Sequence, residues 1–441
     1  MIPIFYMLLA RFHAHFLGDS DLVFSNLRRH ECADLQARAV QDCPMILEFC
    51  TNLAKKPVAL QTTHANMRIL ILHNLLWSQY KSVVFEKIAQ TCAPEDEVLV
   101  VQTAITEKGR EDLVDFEVAT YAYQFPVRLL NRIPLQQISP WKTMWDWIRI
   151  ILNFRPDVIN LTGYSEAGTL PVLLLAKCLG IKTIMTVESI ENLSARGNSL
   201  LHSLKTTYKR ILLALCDGFF SYGLNTNKFL FQSGVEKRQI LSYLNAFDKN
   251  AFRATLPKQE EKPHPKPYLL FVGRLSPEKN LPALFDLMKQ LPIDLILAGN
   301  GPQLAELTDK KQREAIENVH LLGTVAWANL ANLYQHATAL MLVSTAETWG
   351  MVANEAQELQ IPVICTEACG CANDLVIDGK NGLVLSDITS LENITKIQQF
   401  LIDFPKNQAA IGAFSERNSQ IFSVEKLAAE MLEGFHKICK A

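Results

Sequence analysis

Two groups of residues have the types and spacing to handle charged, oxygen-rich ligands. The first is Gly273-Arg274-Leu275-Ser276-Pro277-Glu278-Lys279-Asn280, which continues the apolar run Tyr268–Val272. A glycine at a strand end lets backbone approach a ligand closely. Arg274 offers a planar fork of donors and Lys279 a compact point charge. Two such cations with oriented backbone amides are what a diphosphate needs. Taken alone, a solvated basic turn is the commoner use of these residues. The second group is Glu347-Thr348-Trp349-Gly350-Met351-Val352-Ala353-Asn354-Glu355, after the apolar run Ala339–Ser344. Gly350 permits a tight turn, so that the amides of Gly350, Met351 and Val352 can face an anion or sugar oxygens. A carboxylate can chelate a vicinal diol. Glu355 suits a ribose diol and Glu347 suits sugar hydroxyls; the alternative for Glu355 is a solvated helix carboxylate.

The N-terminal half offers weaker candidates at strand ends. Glu188, in Thr186-Val187-Glu188-Ser189, reads equally as a contact to a second substrate and as a helix-capping carboxylate. Tyr164 and Glu166 lie in Gly163-Tyr164-Ser165-Glu166-Ala167-Gly168, a loop after another apolar run. Lys81 closes the segment Leu75-Leu76-Trp77-Ser78-Gln79-Tyr80-Lys81, and an exposed lysine is the ordinary expectation there.

These residues need a frame that brings strand ends together. Met67-Arg68-Ile69-Leu70-Ile71-Leu72-His73-Asn74 reads as a buried parallel strand because its apolar run is continuous. Further strands are expected at Glu97–Gln102, within 156–163, at Lys182–Val187 and at Gly218–Tyr222. Helices are expected at Trp145–Asn153, Thr169–Leu179 and Leu200–Leu215. The pattern repeats after residue 268, with strands at Tyr268–Val272, Asp294–Ala298, Val319–Leu322, Ala339–Ser344 and Pro362–Cys365. Helices are expected there at Leu281–Leu291, Asn329–His336 and Val352–Leu359, and one more at Val424–Cys439. Alternation of this kind implies α/β architecture with two Rossmann-like, doubly wound domains facing across a cleft.

Between the two halves, Pro257–Pro267 contains four prolines and five charged residues and almost nothing apolar, which suits a linker. The expected division is an extension over 1–66, weakly ordered or an over-long start, then an N-terminal domain over 67–250. A linker over 251–267, a C-terminal domain over 268–420 and a terminal helix over 421–441 packing back on the N-terminal domain complete it.

The chain has 441 residues, 49% of them hydrophobic and 20% charged, with a formal net charge of −2. That composition is globular and multi-domain, and it lacks the basic excess of a nucleic-acid binder. Ten cysteines occur without a CxxC pair, which reads as reduced, buried thiols. The apolar start Ile2–Ala10 is shorter than the roughly 20 residues of a membrane span and lacks the basic flank of a signal peptide. A cytoplasmic protein, at most peripheral to the inner face of a membrane, is expected. Arg196, Lys205, Lys209 and Arg210 beside Ile211-Leu212-Leu213 could form a basic amphipathic helix near 196–213 that leans on anionic lipid; a solvated helix face is the commoner use. Asp19-Ser20-Asp21 has no strand context for a metal site, and no GxxxxGK phosphate loop is present.

In order, Gly273-Arg274…Glu278-Lys279, Leu297-Ala298-Gly299-Asn300-Gly301-Pro302, Leu322-Gly323, Glu347 with Glu355, and Asp378-Gly379-Lys380-Asn381-Gly382-Leu383-Val384 resemble the family-4 retaining glycosyltransferases (glycosyl transferases group 1), whose fold is GT-B. The resemblance spans the whole second domain. It implies that Arg274 and Lys279 hold the diphosphate of a nucleotide-sugar donor, Glu355 the ribose and Glu347 the transferred sugar. Gly273, Gly299, Gly301, Trp349, Gly350, Met351 and Val352 would line the same donor site. It also implies front-face transfer of a hexose with retention, without catalytic metal or cofactor, to a glycan or lipid-linked hydroxyl, in a setting of polysaccharide assembly. UDP-glucose, UDP-N-acetylglucosamine and GDP-mannose all suit such a site. The first domain is less similar. It lacks the family's Gly-Gly loop after the first strand and has Glu188 where many members have histidine, which leaves Lys81, Tyr164, Glu166 and Glu188 as acceptor-side candidates. A nucleotide-sugar epimerase, a phosphorylase and a non-catalytic nucleotide-sugar binding protein are the alternatives on the same fold.

Overall fold

In the computed structural model, residues 66–75, 79–107, 123–163, 168–188, 200–243, 245–257 and 262–440 are described. The expected extension over 1–66, Tyr164, Glu166 and Arg196 fall outside them, apart from Asn66 itself. Strand β1 (Arg68–Leu75) is followed by helix α1 (Gln79–Thr91), β2 (Glu97–Ala104), β3 (Val127–Leu129), α2 (Pro140–Phe154) and β4 (Val158–Thr162). Then come α3 (Thr169–Leu179), β5 (Lys182–Val187), α4 (Leu200–Ala214), β6 (Gly218–Ser221), α5 (Leu224–Gln232), β7 (Ile240–Ser242) and α6 (Lys249–Arg253). All pairings are parallel, in the order β3-β2-β1-β4-β5-β6-β7.

The second half repeats the plan with β8 (Tyr268–Val272), α7 (Leu281–Met288), β9 (Asp294–Ala298), α8 (Leu304–Arg313), β10 (Val319–Gly323) and α9 (Trp327–Gln335). It continues with β11 (Ala339–Leu342), α10 (Met351–Glu358), β12 (Val363–Thr366), β13 (Gly382–Leu385), α11 (Leu391–Ser419) and α12 (Val424–Lys440). Its parallel sheet runs β10-β9-β8-β11-β12-β13. Both sheets reverse direction of growth beside their first strand, and that switch point is where doubly wound sheets open a crevice at the carboxyl ends of the strands.

The continuous apolar strands follow from burial on both faces. In β1, Ile69 and Ile71 pack with Val84, Phe85 and Ile88 on one side, while Leu70 and Leu72 pack with Trp147, Ile151 and Val172 on the other. In β8, Leu270 and Val272 face one layer and Leu269 and Phe271 the opposite one. One apolar core joins Ile69 and Phe220 of the first sheet, Leu270 and Leu340 of the second, and Leu427 and Phe435 of α12. Helix α12 lies against α1, β6 and β7, with Phe435 edge-on to Phe220 and Glu430 accepting from Ser242 Oγ at 2.8 Å.

Several expectations shift. Helix α2 begins at Pro140, with proline in its first turn, five residues ahead of the start read from apolar spacing; proline there is pre-set for a helix and loses no bond. Helices α1, α8 and α11 and strands β3, β7 and β13 add to the elements read from sequence. The expected lipid-facing stretch is largely spent on the core: Leu212 and Leu213 are buried, which leaves Ile211 as the exposed apolar residue among the three. No described helix is long and apolar enough to cross a membrane.

Candidate active site

The loops after β8 and β9 lie in contact. A Cβ on Gly299 would fall 1.8 Å from the carbonyl oxygen of Gly273, and one on Gly301 would fall 2.4 Å from that of Leu275. Leu275 N also bonds Asn300 O at 2.9 Å. Glycine is therefore required at 299 and 301 by loop-on-loop packing, a role besides the donor contact expected of them. This packing leaves Arg274 exposed at the rim and directs the chain into the 3-10 turn Pro277–Lys279, closed by Asn280 in the left-handed region at φ 57°.

Lys279 Nζ forms an ion pair with the Glu347 carboxylate, and both side chains are largely covered, at 16% and 14% exposure. The loops carrying the pair are tied by backbone: Thr345 N donates to Glu278 O at 2.8 Å, and Gly370 N to Glu347 O at 2.9 Å. Just beyond, Gly350 sits at φ 92° and a Cβ there would meet Leu342 Cδ2 at 2.6 Å. Gly350 starts α10, and no side chain caps that helix start. The amides of Met351 and Val352 thus begin a helix at the carboxyl end of β11 beside the Lys279–Glu347 pair, where an anion is favoured.

Trp349 departs from its expected place. Its side chain is 2% exposed, donates from Nε1 to Asn354 Oδ1 at 2.7 Å and packs against Phe422 at 5.5 Å. It is a core residue, because the strand-to-helix turn points it under α10; a ligand would meet its backbone. Glu355 is also unlike a solvated helix carboxylate. It is 1% exposed and accepts three hydrogen bonds, on Oε1 from Tyr80 (2.7 Å) and Trp327 Nε1 (3.1 Å) and on Oε2 from Tyr334 (2.7 Å). Burial raises its carboxyl pKa against the opposing pull of Tyr334, Tyr80 and Trp327.

On the first sheet, Lys81 is not the exposed lysine expected. Its side chain is 17% exposed; Nζ lies 3.7 Å above the Tyr222 ring and 3.8 Å from Glu188 Oε1. Tyr222 donates its hydroxyl to Glu188 at 2.7 Å. Burial lowers the Lys81 pKa, with Glu188 opposing. Burial also lowers that of His73, whose Nδ1 lies 2.8 Å from Gln102 Oε1. Glu188 at the end of β5 thus holds a lysine and a tyrosine from α1 and the end of β6.

The two halves also meet through Asp374. Its Oδ2 accepts from Leu224 N at 2.7 Å, at the start of α5, where Gly223 lies at φ 115° and a Cβ would strike Asp374 Oδ2 at 2.6 Å. Burial pushes the Asp374 carboxyl up to about 6. Its folded value exceeds the unfolded one near 3.8, so the stability linked to it is present below pH 4 and is lost as pH rises through 6. Asp374→Asn is expected to remove that slope, on the order of 1–2 kcal/mol for a partly screened carboxylate, while Asn Oδ1 still accepts from Leu224 N. Thermal unfolding of both proteins from pH 4 to 8 checks this; parallel curves would contradict it.

Sequence spacing marked Lys279, Glu347, Gly350 and Glu355, and the structure brings Lys279, Glu347 and the start of α10 together. Tyr80, Trp327, Tyr334, Tyr222 and Asp374 carried no such mark. Tyr80 is the neighbour of Lys81, one of the acceptor-side candidates, and that adjacency was the available signal.

The family model for glycosyl transferases group 1 matches residues 252–415. An uncharacterised glycosyltransferase of Methanocaldococcus jannaschii is 29% identical over 157 residues, 36% of this chain and 44% of that protein. A GDP-mannose-dependent alpha-mannosyltransferase of Mycobacterium tuberculosis is 25% identical over 244 residues, 54% of this chain and 62% of that protein. The chain therefore spans less than two thirds of the length of these curated relatives. The crystal structure of Anabaena HepE in complex with UDP-glucose superposes with a TM-score of 0.62 at 21% identity, over 83% of this chain and 99% of that one. The two facing parallel sheets are thus a GT-B fold, and within it residues 252–415 are the part similar to the glycosyl transferases group 1.

Proposed function

We propose that the chain is a retaining glycosyltransferase of the family-4 kind, moving a hexose from a nucleoside diphosphate to a glycan or lipid-linked hydroxyl at the cytoplasmic face of a membrane. The observation that carries this reading is the Lys279–Glu347 pair set beside the uncapped start of α10 at the switch point of the second sheet. Arg274, Lys279 and the Met351 and Val352 amides would take the charge that grows on the diphosphate as the bond from the sugar to phosphate oxygen breaks. The acceptor hydroxyl would form the new bond on the same face and pass its proton to a phosphate oxygen. Glu347 would hold the sugar hydroxyls and Glu355 the ribose. Two protein cations supply the neutralisation in this scheme, which therefore calls for neither a metal nor a cofactor besides the donor. The Glu188–Lys81–Tyr222 cluster at the ends of β1, β5 and β6 is the acceptor-side surface.

UDP is the nucleotide supported by the UDP-glucose complex of HepE, and GDP-mannose by the mannosyltransferase relative. A thermal-shift screen over UDP-glucose, UDP-N-acetylglucosamine and GDP-mannose separates them, since a ligand at 100 times its Kd adds about 2.7 kcal/mol. Nucleotide release that depends on an added glycan or lipid-linked acceptor is the expected second result. Binding without release, whatever the acceptor, would make the chain a nucleotide-sugar binding protein instead.

A further inference from the structure

Away from the cleft, three side chains from separate segments converge at the opposite end of the second sheet. His264 comes from the stretch between the two sheets, Asp294 opens β9 and His320 is the second residue of β10. Parallel strands fix their placement: Tyr268 pairs with Asp294, and His320 with Ile296. Period-two alternation then puts Asp294 and His320 on the same face of the sheet. Both histidines present Nε2 to one carboxylate oxygen, Asp294 Oδ2, at 2.7 Å from His264 and 3.2 Å from His320. The three candidate ligand atoms all lie within 4.8 Å of one another.

We propose that His264, Asp294 and His320 form a binding site for a zinc-class divalent transition-metal ion, with water in the remaining position. Zinc accepts imidazole nitrogen and carboxylate oxygen at about 2.0–2.2 Å in tetrahedral geometry, which sets neighbouring ligand atoms about 3.3 Å apart. The observed separations bracket that edge, so small side-chain rotations would gather the set around one ion. Imidazole with carboxylate suits zinc, cobalt, nickel or copper over magnesium or calcium, which take all-oxygen shells. Asp294 is buried, His264 is 16% exposed and His320 is 36% exposed, so one side of the cluster faces solvent and admits a water ligand. The His264 ring stands edge-on to Tyr268 at 5.9 Å, which limits its rotation. Lys266 is a cation near the Asp294 carboxylate; it repels an incoming metal ion and weakens rather than blocks the site. Asp294 stands at the first residue of a five-residue strand, four residues or about 13 Å from its cleft end at 3.3 Å per residue. A metal here would therefore pin the stretch joining the two domains to the second sheet and leave the transfer chemistry alone.

The test uses the full chain stripped of metal by chelation. Zinc is titrated calorimetrically, and Co2+ is followed by its visible absorption, for the wild type and for H264Q, H320Q and D294N. One ion per chain, a tetrahedral Co2+ spectrum without a thiolate charge-transfer band, and at least about a 10-fold weaker affinity in each variant are expected. The wild type should also gain thermal stability on adding zinc, and the variants should not. His320 is partly exposed, so H320Q keeps the test open if D294N fails to fold; far-UV circular dichroism checks each variant. No zinc heat and no Co2+ spectrum would overturn the proposal and leave a metal-free His–Asp–His hydrogen-bond network. Binding unchanged in H264Q and H320Q, or a thiolate band pointing to cysteine ligands such as Cys178 or Cys92, would overturn it as well.

Discussion

Lys279→Ala is expected to lower sugar transfer about 10²- to 10³-fold, the loss seen when one preorganised donor to developing charge is removed. The argument is electrostatic. Negative charge on the leaving diphosphate grows as the glycosidic bond breaks, so a cation fixed beside it stabilises the transition state more than the bound donor. Lys279 is fixed: its side chain is 16% exposed and paired with Glu347, and Thr345 N to Glu278 O joins the two loops. Arg274 is exposed at the rim and can move to the phosphates only by ordering a longer side chain. The loss at Lys279 should therefore fall mainly on kcat, with a smaller change in KM for the donor. Lys279→Arg should restore little, since a planar fork does not replace a point charge in a site shaped for one. The cost to stability should be about 1 kcal/mol, because the pair retains some solvent access. Steady-state transfer with each donor, beside thermal unfolding, separates the two effects. Transfer within a few-fold of wild type by Lys279→Ala would remove this residue from the mechanism.

The frame around that lysine was readable because it rests on burial at both faces of a strand. Ile69 to Leu72 and Tyr268 to Val272 are apolar without interruption, and each run sends alternate side chains into different layers. Runs like these mark parallel strands, and the loops after them mark a site. Elements with a weaker burial pattern were not readable. The edge strands β3 and β7 have three residues each, too few for a period to show. Helix α8 has one buried residue, Leu307, in Leu304–Arg313, so it offers no apolar stripe. Nor does local sequence say what covers a side chain. Trp349 and Glu355 flank the same turn as Gly350, but their surroundings are supplied by Phe422 and by Tyr80, the latter 275 positions away. Lys81 carries the same lesson: nothing beside it in sequence announces Tyr222 or Glu188, which turn an ordinary surface lysine into a largely covered cation.

Glu355 gives the sharpest test of that long-range environment. A carboxylate oxygen has two lone-pair positions. Oε1 has both filled, by Tyr80 and Trp327, and Oε2 has one filled, by Tyr334. Chelation of a ribose diol needs one open position on each oxygen, so Tyr80 must withdraw as a nucleotide arrives. Tyr80→Phe removes that competitor and is expected to tighten nucleotide binding about 2- to 12-fold, the equivalent of one net hydrogen bond of about 0.5–1.5 kcal/mol. It should lower stability by a similar amount, since α1 then loses its bond to α10. Glu355→Gln should act in the opposite sense on binding and more strongly on stability. An amide nitrogen cannot accept, so it leaves at least one of the tyrosine and tryptophan donors unpaired in the interior, at a cost of about 2–4 kcal/mol. The same nitrogen faces the ribose, so nucleotide affinity should fall at least about tenfold, as for sites whose buried polar groups lose their partner. Calorimetric titration with the nucleoside diphosphate and denaturant unfolding measure both quantities for both variants. Opposite shifts in affinity tie Glu355 to the ribose. Unchanged affinity in the two variants, with stability alone reduced, would make Glu355 a buried structural carboxylate joining α1, α9 and α10, and would move ribose recognition elsewhere in the cleft.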